Sequence, residues 1–90
     1  MTLDEHIRQI VREELKRRPM PADFRRKKDW SAAELAERSG VALPTIYSVE
    51  KGRGKFARAE TVTKIAAALG VEYGEYEAAV EYAIEQRRAS

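Results

Sequence analysis

The chain has 90 residues, 43% hydrophobic and 36% charged, a balance that fits one water-soluble core and excludes a largely disordered polymer. It contains no cysteine, which excludes disulfides and cysteine-based zinc sites, and no apolar run approaches the ~20 residues that span a bilayer. A net charge of +2 does not identify a polyanionic partner, so the distribution of the 17 basic residues matters more than their excess over acid.

The first segment begins with Thr2 and Glu5 at capping-box spacing. Leu3, Ile7, Ile10, Val11 and Leu15 then recur at helical spacing, which predicts an amphipathic helix over residues 3–18. Asp4, Glu5, Arg8, Arg12, Glu13 and Glu14 interrupt it, so the succession of a signal peptide is missing and a cytoplasmic address is expected. Lys16, Arg17 and Arg18 suit the negative end of the helix dipole, and Pro19 and Pro21 turn the chain. A short basic helix is expected over residues 23–28, with Phe24 as its single large apolar side chain.

Ser31 and Glu34 mark the next helix start, Leu35 and Ala36 its inner face, and Gly40 its end. Val41, Ile46 and Val49 are spaced for the inner face of a helix over residues 43–50, where Pro44 is tolerated in the first turn and Gly52 supplies the stop. A loop rich in glycine and basic residues follows over residues 51–58. Another helix over residues 59–69 buries Val62, Ile65, Ala66 and Leu69, and Gly70 ends it. The last helix, residues 74–88, carries Tyr76, Ala79, Val80, Ala83 and Ile84 on one face and closes on Arg87 and Arg88, cations suited to a helix C-terminus. No strand pattern and no internal repeat is found.

Two short helices joined through Gly40, Val41 and Ala42 fit the helix-turn-helix pattern, in which the second helix is expected to enter the major groove of DNA. The stretch WSAAELAERSGVALPTIYSVEKG, residues 30–52, resembles phage repressor and Cro-type regulators, often called the XRE family. Its continuation ETVTKIAAALGV, residues 60–71, is similar to the helix that follows in that family. The resemblance covers about residues 24–71 and implies an all-α, lambda-repressor-like domain with a core of Leu35, Ala36, Val41, Ile46, Val49, Ile65, Ala66 and Leu69, to which this chain adds N-terminal and C-terminal helices. It also implies double-stranded DNA as the partner and a structural ion pair between Arg25 and Glu50.

By the same resemblance Leu43, Pro44, Tyr47 and Ser48 face the bases. None is Gln, Asn or Arg, so no bidentate contact to a purine, worth about 1–3 kcal/mol of discrimination, comes from these positions. Thymine methyl contacts and indirect readout are expected instead. Lys51, Arg53, Lys55 and Arg58 are expected to hold phosphates, together with Thr45 and the helix start at Ser31 and Ala32. The loop is one residue longer than the usual pattern of the family, and Ala57 stands where many members have proline.

The chain divides into a possible dimerisation helix at residues 1–20, the DNA-binding domain at 21–73, and a C-terminal helix at 74–90 that packs on the domain or at a dimer interface. Either the Leu3/Ile7/Ile10/Val11/Leu15 stripe or the Tyr76/Val80/Ile84 stripe suits a homodimer reading a palindromic operator as a repressor. Catalysis is not expected, because His6 is the single histidine and no acid pair or nucleophile motif surrounds it; no metal or cofactor is implied. The rival function is that of an antitoxin-like or adaptor module, with Leu43, Pro44 and Tyr47 as an apolar protein-binding patch.

Overall fold

The computed structural model describes residues 18–89. Five α-helices follow in order: α1 (Pro21–Arg26), α2 (Ala32–Ser39), α3 (Leu43–Glu50), α4 (Ala59–Leu69) and α5 (Tyr73–Ala89), with a 3-10 turn at Gly54–Phe56 between α3 and α4. No strand occurs among the described residues, and none of their helices is long and apolar enough to cross a membrane. The helix expected over residues 3–18 lies, but for Arg18, outside the described residues.

The first helix starts two residues earlier than its sequence pattern suggests. Pro21 occupies its first turn, where a missing amide hydrogen leaves nothing unsatisfied, and the Asp23 carboxylate accepts the Met20 N–H at 2.8 Å. It ends at Arg26 because the chain turns back: the Lys28 and Trp30 amides both donate to the Arg25 carbonyl, and Asp29 takes a left-handed conformation at φ 59°.

In α2 the Ser31 hydroxyl accepts the Glu34 N–H at 3.1 Å, half of the reciprocal box the sequence suggests, while the Glu34 carboxylate pairs with Arg38 one turn on. That exposed pair contributes about 0.3–0.5 kcal/mol. The helix ends at Gly40, whose N–H donates to the Ala36 carbonyl at φ 74°. Helix α4 closes with paired bonds, Val71 N–H to Ala66 and Gly70 N–H to Ala67. Helix α5 begins at Tyr73, one residue before its sequence pattern suggests.

The core joins all five helices. Leu35 from α2, Ile46 and Val49 from α3, Val62, Ile65 and Leu69 from α4, and Tyr76, Ala79 and Val80 from α5 are buried together, with Trp30, Ala36, Leu43, Phe56 and Ile84 packed against them. The α5 stripe therefore points into its own domain, against α1, α3 and α4. Tyr76, Ala79, Val80 and Ala83 are thus buried within the chain, and Ile84 is half-buried.

Phe24, the one aromatic side chain of α1, meets the edge of Tyr76 with ring centroids 5.6 Å apart and planes at 68°. The Tyr76 hydroxyl is buried and has no hydrogen-bond partner among the described residues. Burial pushes its pKa well above the phenolic value of about 10, and the Glu50 charge pushes the same way against a smaller opposing pull from Arg25. The folded chain thus keeps a proton that the unfolded chain releases near pH ~10, so this contribution to stability is complete below that pH and is lost above it, by about 1.4 kcal/mol per pH unit. Tyr76→Phe should remove this part of the alkaline loss and raise stability at neutral pH by up to about 1 kcal/mol, since an unsatisfied buried hydroxyl disappears. Urea unfolding near pH ~8 and pH ~11 checks it; identical pH dependence in the two proteins would refute it.

Candidate nucleic-acid interface

Helices α2 and α3 pack on one another through the turn at residues 40–42, which is stabilised by the Val41 N–H donating to the Ser39 hydroxyl at 3.2 Å. The α3 residues alternate as a surface helix should: Ile46, Ser48 and Val49 are buried, Leu43 and Thr45 are half-buried, and Pro44 and Tyr47 stand in solvent. Tyr47 is 45% exposed, the largest open apolar side chain among the described residues, and the Lys51 ammonium lies 5.9 Å from its ring centroid.

Of the four side chains expected at the bases, Leu43, Pro44 and Tyr47 lie on or at the edge of this face, but Ser48 does not. Ser48 is only 8% exposed, next to the fully buried Val49. The Ser48 side chain is thus largely closed to solvent. Ala32, in the first turn of α2, is 4% exposed, leaving Ser31 as the open group at that end.

Thr45, Lys55, Phe56, Arg58 and Thr61 line one open depression between the middle of α3, the 3-10 turn and the start of α4. The turn makes this possible: Phe56 folds back on the core, with its N–H bonded to the Arg53 carbonyl, and so presents Lys55 and Arg58 on either side. Lys51, Arg53, Lys55 and Arg58 are exposed, and none forms an ion pair among the described residues. Sequence reasoning misses Phe56 and Thr61 as parts of this surface. A lone aromatic within a basic, glycine-rich loop is the available signal for Phe56; Thr61 carries none.

The Arg25 guanidinium holds the far end of α3. Its Nε donates to Glu50 Oε2 at 2.7 Å and Nη2 to Oε1 at 3.0 Å, while Nη1 donates to the Trp30 carbonyl at 3.2 Å. One planar fork thereby ties the end of α1, the turn before α2 and the end of α3. The hydrogen bonds to Glu50 hold the Arg25 pKa above its usual value, and the Glu50 charge adds to them against an opposing effect of burial. Neutralising Glu50 also removes the one acidic charge on α3 from a surface otherwise suited to anions. No group of three or more His, Cys, Asp or Glu side chains among the described residues is placed to hold a metal.

An all-helical domain with a helix-turn-helix, an exposed second helix and unpaired cations beside it defines a DNA-binding protein of the transcription-regulator class. The helix-turn-helix family profile matches residues 22–76, more than half of the chain, and the protein belongs to this phage repressor and Cro-type, or XRE, family. Comparison with curated proteins and with solved structures gives no match.

Proposed function

We propose that the chain is a small transcriptional repressor that reads a palindromic duplex operator as a dimer, with α3 in the major groove. The observation that carries this reading is the exposure of Pro44 and Tyr47 on α3, with Lys51 against the Tyr47 ring and with Lys55 and Arg58, which have no ion pair among the described residues, beside Thr45. Tyr47, Pro44 and Leu43 meet base edges and thymine methyl groups, and the cations fix register on the backbone. Arg53, Thr45 and the α2 start at Ser31 add phosphate contacts. Ala32 offers at most its amide. We take the Leu3/Ile7/Ile10/Val11/Leu15 stripe, which lies outside the described residues, as the dimer interface; the burial of Tyr76 and Val80 within the chain supports that choice over the α5 stripe.

Selection from a randomised pool of duplex DNA tests the proposal and yields the operator sequence in the same experiment. An inverted repeat supports a dimeric reader; a single half-site retains the DNA reading and removes the dimer. No enriched motif at low salt overturns it, and the apolar α3 face then becomes the docking surface of an antitoxin-like or adaptor protein. On the selected site, Lys51→Ala should make the log-log salt dependence shallower by about one unit with sequence preference unchanged. Tyr47→Ala should instead weaken preference at one or two base pairs, by about 1–3 kcal/mol each, and leave the salt slope in place.

A further inference from the structure

Helix α5 is pressed onto the loop that follows α3. Gly52 lies directly against the Ala83 backbone, and Gly54 leaves room for the Ile84 side chain, so the last turns of α5 run beside this loop. Arg53 and Lys55 from the loop and Arg87 and Arg88 from α5 consequently line one open groove with Gly52, Gly54 and Ile84, and no acidic side chain among the described residues lines it. Favourable placement at a helix C-terminus accounts for arginines at the end of α5. It does not account for the placement of Arg88 beside Arg53 and Lys55, two cations from another segment whose repulsion of Arg88 an anion in the groove relieves.

Arg53, Lys55 and Arg88 have no ion pair among the described residues. Lys55 lines both this groove and the depression beside Thr45 and Arg58, so the two form a continuous basic track leading away from α3.

We propose that this groove is a second binding site for the DNA backbone, in which Arg88 from the C-terminal helix contacts a phosphate outside the stretch read by α3. The inference rests on the DNA reading above and adds a contact from beyond the matched helix-turn-helix residues. Phosphates are favoured because a polyanion that already passes Lys55 reaches Arg53 and Arg88 without a second binding event.

The test is the salt dependence of binding to a random-sequence duplex, measured with the full chain as wild type, Arg88→Gln, Arg88→Lys and Lys51→Ala. Arg88→Gln should make the log-log slope shallower by about one unit, as Lys51→Ala does, and Arg88→Lys should restore it. Arg88 is exposed in the final turn, so thermal melting should be unchanged. A wild-type slope that Lys51→Ala reduces and Arg88→Gln leaves intact overturns the inference alone. Absence of salt-dependent duplex binding by the wild type overturns the DNA reading, and this inference with it.

Discussion

Arg25→Met is expected to destabilise the fold by about 3 kcal/mol, because it strands the Glu50 carboxylate, whose side chain is only 7% exposed, without a counter-charge. Glu50→Leu should cost less, about 1–2 kcal/mol, since the freed guanidinium is long, 13% exposed, and can turn toward water. The double variant should recover much of the loss, as replacing both charges by apolar groups leaves nothing unpaired. Urea unfolding of the four proteins gives the coupling energy directly. A loss below about 1 kcal/mol in Arg25→Met would show that the pair is peripheral. The recovered double variant should still bind DNA poorly, because no fork then fixes α3 to α1 and to the Trp30 carbonyl.

Gly52→Ala should cost about 2–4 kcal/mol through two additive effects. The backbone at φ 78° disfavours any side chain, and an added Cβ would overlap the Ala83 carbonyl oxygen and lie 2.7 Å from its carbon. Both obstructing atoms are backbone atoms of a packed helix, so relief requires α5 to move. Two other glycines separate the contributions. Gly40, at φ 74°, has nothing within 4 Å of an added Cβ, so Gly40→Ala measures the conformational effect alone, about 1 kcal/mol. Gly54 has no left-handed φ and meets only the Ile84 side chain at ordinary contact distance, so Gly54→Ala should cost under about 1 kcal/mol. Equal losses at Gly40 and Gly52 in thermal or urea unfolding would mean that α5 yields readily and that its docking is loose.

Much of this architecture is legible in the sequence because local chemistry agrees with the tertiary fold. Ser31, Gly40, Gly52 and Gly70 sit at helix ends, and the stripes of α2, α3 and α4 are the buried ones. What escapes the sequence is the identity of partners across space. The α5 periodicity shows a buried face but not what covers it, so an inward-facing stripe and a dimer stripe read alike. Ser48 looks available because it is polar and adjoins Tyr47, yet a small hydroxyl residue also fits a tight helix contact. Arg88 reads as a helix-end cation until Gly52 and Gly54 bring α5 against the loop. The family register places Arg25 opposite Glu50, but the third bond, to the Trp30 carbonyl, depends on the tight turn after α1.

Trp30 is the single tryptophan of the chain, and its indole contacts two cations, the Arg38 guanidinium 4.3 Å from the ring centroid and the Lys28 ammonium at 5.2 Å. Its carbonyl is the acceptor for Arg25, and the capping Ser31 follows it directly. The protein therefore contains its own optical probe: a ligand that draws Lys28 or Arg38 off the indole changes the emission while the fold stays intact, whereas loosening of the α1–α3 clasp changes it by wetting the ring. Fluorescence from one side chain can follow both events in an unlabelled sample, and far-ultraviolet circular dichroism distinguishes them.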